Sequence, residues 1–125
     1  ARSPKVRAFV DFLLERLIER ARAAGCDALV LECNHDAGML QRGGYPPHLK
    51  RRIAGRFGHL DNAAAAALLA GLDTSRLQHL IAAHLSQQNN LPALARSAMA
   101  EVLGCAEQWV GVADQDTGFS WRALI

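Results

Sequence analysis

Apolar positions recur at three- and four-residue intervals from Val6 through Phe9, Val10, Leu13, Leu14, Leu17 and Ile18 to Ala21. That spacing predicts an amphipathic helix over residues 6–23, started near Ser3-Pro4 and stopped by Gly25. The pattern then changes. Ala28-Leu29-Val30-Leu31 is a nearly unbroken apolar run, short enough for a strand buried on both faces, and it ends in the polar string Glu32-Cys33-Asn34-His35-Asp36. A helical turn follows over residues 37–40, then a loop through Gly43-Gly44-Tyr45. A helix starts at Pro46-Pro47 and ends at Gly55 or Gly58.

Asp61 stands at an N-cap position before Asn62 and the alanine-rich run that reaches Gly71, which predicts the clearest helix of the chain. Residues 77–83 read as a second buried strand, ending in His84-Leu85-Ser86. Asn90 is expected to cap a helix over residues 92–103 that Gly104 stops. Residues 109–113 and 119–124, turned by Asp116-Thr117-Gly118, read as a closing hairpin. Helices alternating with strands favour an α/β fold with a partly parallel sheet, with about four strands and four to five helices in one domain.

Composition changes this picture little. Half of the 125 residues are apolar and the formal charge is only +2, so a globular chain is expected and net charge does not imply nucleic acid. No run approaches the length of a membrane span and no signal peptide is visible, which makes a cytoplasmic chain the default. Cys26, Cys33 and Cys105 form no Cys-x-x-Cys pair and read as small buried thiols rather than as a disulfide framework or zinc site.

Candidate chemistry gathers at the strand ends. In parallel sheets, ligand sites lie beyond the carboxyl ends of the strands. If the two strands are neighbours, Glu32, Asn34, His35 and Asp36 share a crevice with His84 and Ser86. His59, just before the Asp61-capped helix, would point the same way. Histidines converging with carboxylates suit metal-assisted hydrolysis, but the chain contains no His-x-x-x-His pair, and a structural polar network would serve equally well. Lys50, Arg51, Arg52 and Arg56 would attract an anionic phosphodiester. Without interleaved aromatic residues they read more readily as a solvated helix face.

Several blocks in order carry a family resemblance. They are residues 29–36, Met39-Leu40, Tyr45-Pro46, Leu49-Lys50, Arg52-Ile53, Gly58-His59-Leu60 with Asn62, Ala83-His84-Leu85-Ser86 and Asn89-Asn90. Over residues 26–103 they resemble the cytoplasmic branch of metallo-β-lactamase-fold hydrolases related to phosphodiesterases and nucleases. The resemblance implies the C-terminal half of an αββα sandwich and a site using zinc or manganese. It also implies a phosphodiester or nucleic-acid substrate.

Under it, His84 matches a metal-binding histidine, His59 the histidine near the leaving group, and Glu32 the carboxylate that orients it. Asn34, His35 and Asp36 match a motif at the active-site rim. His48 and His79 match nothing and read as a loop residue and a strand residue. The family's His-x-His-x-Asp-His motif does not occur in the chain, nor does its Asp-x-Gly segment. The expectation is therefore an incomplete part, inactive alone, that exposes an apolar sheet face or forms a homo-oligomer. Residues 3–13 instead resemble the last helix of the effector domain of LysR-type regulators. The alternative is a non-catalytic α/β binding module.

Overall fold

The computed structural model describes residues 25–125. The predicted first helix and its LysR-type resemblance lie outside the described residues. Three parallel strands form one sheet in the order β1 (Ala28–Glu32), β2 (His79–Ala83), β3 (Gly111–Val112). Parallel neighbours need crossovers, and helices supply them. α1 (Ala37–Arg42), α2 (Pro47–Ala54) and α3 (Asn62–Ala70) lie between β1 and β2, and α4 (Pro92–Leu103) lies between β2 and β3. The α/β class is thus the one read from the sequence.

β2 is central, and its Leu80, Ile81 and Ala82 are essentially inaccessible. α3 and α4 pack on one side of the sheet. Ala65 and Leu69, four apart on α3, and Ala95 and Met99, four apart on α4, bring one stripe of each helix into the core with Leu31, Cys33 and Val110. On the other side the described residues leave an apolar groove of about 400 Å³, lined by Leu29, Val30, Ile81, Phe119, Trp121 and Leu124 among others. Val30 is 58% exposed and Trp121 fully so.

Helix boundaries follow local chemistry. Asp61 caps α3 by accepting from Ala64 N at 2.6 Å, and Asp36 does the same for α1 through Met39 N at 2.8 Å. Gly104 closes α4 in the left-handed conformation at φ 65°. α2 ends at Gly55 rather than Gly58, and His48 lies within it, not in a loop.

Three other expectations are corrected. Residues 109–124 do not form a hairpin of two strands. Val112 joins β2 in parallel, and Ala113 N continues the ladder to Ala82 O. Asp114 and Gly118 exchange both backbone hydrogen bonds at 2.9 Å around a tight turn. Residues 119–125 then run outside any strand, held by Gln78 and His79 side chains to the backbone of Ile125 and Ala123. The described residues therefore hold three strands, not four.

The second strand starts at His79 and not at residue 77, because Gln78 N and His79 N both donate to Asp27 O in the approach to it. Finally, Asn90 does not cap α4. Leu91 occupies the N-cap with no side-chain bond, because the Asn90 amide is committed elsewhere.

That commitment ties the strand tips together. Asn62 and Asn90, both buried, exchange two amide hydrogen bonds at 2.9 Å. Asn90 Nδ2 also donates to Cys33 O at 2.8 Å, and its Oδ1 accepts from Leu91 N. The start of α3, the approach to α4 and the end of β1 thus meet at one satisfied polar knot, the arrangement a buried amide requires.

Candidate active site

β1 and β2 pair in register with Glu32 opposite Ala83, so the residue that follows β2, His84, emerges beside the Glu32 carboxylate. Glu32 Oε2 accepts from His84 Nδ1 at 2.7 Å and from His59 Nδ1 at 3.3 Å, and Oε1 accepts from Leu60 N at 2.8 Å. The two imidazoles meet edge-on with centroids 5.1 Å apart. An acceptor shared by both Nδ1 atoms requires a proton on each of them. Each Nε2 is then left without a hydrogen-bond partner among the described residues.

The carboxylate sits in a balance of opposing effects. Partial burial pushes its pKa up, but hydrogen bonds from His84, Leu60 N and His59 outweigh this and hold it below the ordinary glutamate value.

His84 adopts φ 58°, a left-handed conformation rare for a residue with a Cβ. Neighbouring bonds hold it there. Asn34 Nδ2 donates to His84 O at 2.9 Å, Ser86 N to Asn34 O at 2.7 Å, and Gln115 Nε2 to Leu85 O at 2.8 Å. His59 reaches the site through a tight turn after α2, where His59 N donates to Ile53 O at 2.9 Å. Only glycine suits position 58, since a Cβ there would land on the carbonyls of Ile53 and Arg52.

The histidines face an open cleft of about 440 Å³, which Asn34, Tyr45, Ile53, Ser86 and Gln115 also line. Glu32, His59 and His84 each offer one ligand atom, all within 4.8 Å of one another. Two imidazole nitrogens and a carboxylate oxygen suit a divalent cation such as zinc or manganese in type, and they reach the smallest protein set of an open zinc centre. Glu32 would first have to give up hydrogen bonds it already accepts.

Comparison with known proteins adds a second line of argument. The chain is similar to exodeoxyribonucleases. It is 44% identical over 79 residues to exodeoxyribonuclease YycJ of Bacillus anthracis, a match covering 63% of this chain and 30% of that protein. It is 36% identical over 86 residues to exodeoxyribonuclease WalJ of Streptococcus pneumoniae, covering 69% of this chain and 32% of that protein. The chain thus spans about a third of the length of these exodeoxyribonucleases. Neither a family model nor a solved structure matches it, and neither relative supports the LysR-type resemblance.

The other residues singled out in the sequence separate. Asn34 lines the cleft, but His35 is buried behind it, with Nδ1 3.2 Å from Asn34 Oδ1 and a pKa lowered by burial. Asp36 serves as the α1 cap. His79 stays in β2, with Nε2 2.7 Å from Ala123 O. Of the thiols, only Cys33 is fully buried; Cys26 and Cys105 are half-buried, and all three are free. Sequence reading gave no role to Tyr45, Ile53 or Gln115 in the cleft. Tyr45 and Ile53 fall within blocks that carry the family resemblance, but neither is a residue type that by itself signals chemistry, and Gln115 belongs to no such block.

Proposed function

We propose that this chain carries part of the active site of a metal-dependent nuclease of the metallo-β-lactamase fold, acting on DNA phosphodiesters. The observation that carries the reading is the shared Glu32 carboxylate, which holds two imidazoles by Nδ1 at the mouth of one cleft. Similarity to two exodeoxyribonucleases supports it.

His84 Nε2 is the chain's foremost metal ligand in this reading. A bound zinc or manganese ion would supply charge neutralisation and an activated water. Glu32 fixes both rings by accepting from each Nδ1. His59, when it carries a proton on Nε2 as well, hands that proton to the departing oxygen of the phosphodiester. Asn34 holds His84 in its strained backbone conformation and so aims the ring.

The chain lacks a His-x-His-x-Asp-His string, and its histidine and carboxylate cluster is open to solvent. We therefore expect it to bind the metal weakly and to show no exonuclease turnover alone. The test is a chimaera in which the matching third of the Bacillus anthracis relative is replaced by this segment. Metal-dependent degradation of DNA by the chimaera, lost in His84→Ala and reduced in Glu32→Gln, is the expected result. An inert but folded chimaera would overturn the reading. So would full activity in both variants, which would favour a non-catalytic binding module.

A further inference from the structure

Four asparagines are buried among the described residues, Asn34, Asn62, Asn89 and Asn90. Three of them commit their side-chain amides inside the protein, Asn34 to His84 O and His35, and Asn62 and Asn90 to each other and to Cys33 O. Asn89 differs. Only 3% exposed, it is fixed by its backbone, with Asn89 N donating to Ser86 Oγ at 3.1 Å and its carbonyl accepting from Asp36 N at 2.8 Å. Its side-chain amide makes no hydrogen bond to any described residue. A buried amide without a partner costs about 1–3 kcal/mol, so a group from outside the chain, solvent or ligand, has to complete it.

Asn89 lines the same cleft as His59 and His84. The loop that carries Tyr45 runs against its amide, since a Cβ on Gly43 would come within 2.7 Å of Asn89 Oδ1. Tyr45 and Ile53, both half-buried, give the cleft an aromatic and an aliphatic surface, and the exposed Gln87 and Gln88 bring two further side-chain amides. Apart from the two histidines, no charged side chain lines the cleft. A phosphate therefore has only the histidines to hold it, and an apolar group would strand the Asn89 amide. What fits the remainder is neutral and planar, with a hydrogen-bonding edge for the amide and a face for the tyrosine ring. An amide pairs a donor with an acceptor, as a nucleobase edge does, and a base taken out of its stack is held by such edge bonds between aromatic or apolar side chains.

We propose that Asn89 and Tyr45 form a nucleobase subsite in the Glu32/His59/His84 cleft, in which Tyr45 stacks on the base of the nucleotide being cleaved and Asn89 bonds its edge. The inference rests on reading that cleft as a nuclease site, and it adds which part of the substrate the chain recognises. A base inside a duplex is stacked on both faces and engaged along its edge, so the nucleotide that enters is an unpaired one.

The test is proton–nitrogen NMR of the full chain in EDTA, titrated with deoxyadenosine monophosphate and, in parallel, with deoxyribose phosphate, which carries the same phosphate without the base. The nucleotide should shift the Asn89 side-chain amide signals and bind at least about tenfold more tightly than the sugar phosphate, the gain that one stacked base brings. Tyr45→Ala should remove most of that preference and Tyr45→Phe should keep it, because stacking needs the ring and not the hydroxyl. Asn89→Ala should lower the preference about fivefold, the worth of one hydrogen bond, and it also assigns the amide signals by removing them. Urea midpoints check that the variants fold, and the shifts in the parent chain need no substitution.

Equal affinity for the two ligands would overturn the subsite. So would nucleotide shifts confined to His59 and His84 with the Asn89 amide unmoved, the result expected if solvent alone completes it. The absence of any nucleotide-specific shift at about 10 mM, roughly tenfold above a millimolar Kd, would overturn it as well. Base-dependent binding alongside an inert but folded chimaera would remove the nuclease reading and leave the subsite. An active chimaera whose KM for DNA is unchanged by Tyr45→Ala and by Asn89→Ala would do the reverse.

Discussion

Asn90→Ala should be among the most damaging single substitutions in the molecule. Asn90 is 3% exposed and makes four hydrogen bonds, to Cys33 O, to both amide atoms of Asn62 and to Leu91 N. Leu91 is half exposed, so its N–H can turn to water, but Cys33 O and the Asn62 amide are buried. Each stranded buried group costs about 1–3 kcal/mol. The two losses together, partly relieved by water entering the space, come to about 3–5 kcal/mol, a large share of the ~5–15 kcal/mol that stabilises a domain.

Urea unfolding followed by circular dichroism should show the midpoint falling by about 1–5 M for a slope of about 1–3 kcal/mol/M. Asn62→Ala removes the same reciprocal pair. The double variant should therefore cost less than the sum of the singles, by about 1–2 kcal/mol. Costs that add to within about 0.5 kcal/mol would refute the shared-knot argument, and so would an Asn90→Ala protein as stable as the parent.

Further outcomes follow from the same geometry. Because the folded Glu32 carboxyl titrates below its unfolded value, its stabilisation is present above about pH 4.3 and is lost as pH falls through the folded pKa. The stability gap between the parent and Glu32→Gln should accordingly shrink between pH 7 and pH 3; a gap of constant size would contradict the bridging role. Gly58→Ala should destabilise the protein by about 2–4 kcal/mol and pull His59 away from Glu32, and a crystal structure of the variant with His59 unmoved would count against the steric argument.

Burial, then the charge of Glu32, pushes the Cys33 thiol up to about 12. Cys33 should react with a thiol reagent at least about 100-fold more slowly than Cys105 until the protein is unfolded, and comparable native rates would exclude this packing.

Much of the site was legible because it follows from strand ends. An apolar run of β1 length closed by Glu32, and another closed by His84, suffice to bring the two together once the strands are parallel neighbours. The caps at Asp61 and the stop at Gly104 are equally local signals, and both hold. What failed was long-range. The same apolar alternation suits a hairpin or an edge strand followed by a turn, and only the ladder to Ala82 decides between them. Asn90 sits where a cap is expected, yet its partners lie 28 and 57 residues away in sequence.

Long-range proton–nitrogen NMR of the two site histidines reads the shared carboxylate directly. With neutral rings, His59 and His84 should both carry the proton on Nδ1, and Glu32→Gln should change the tautomer balance of both while leaving His48 unaffected. Finding the proton on Nε2 of either ring in the parent protein, or two rings indifferent to position 32, would contradict the account.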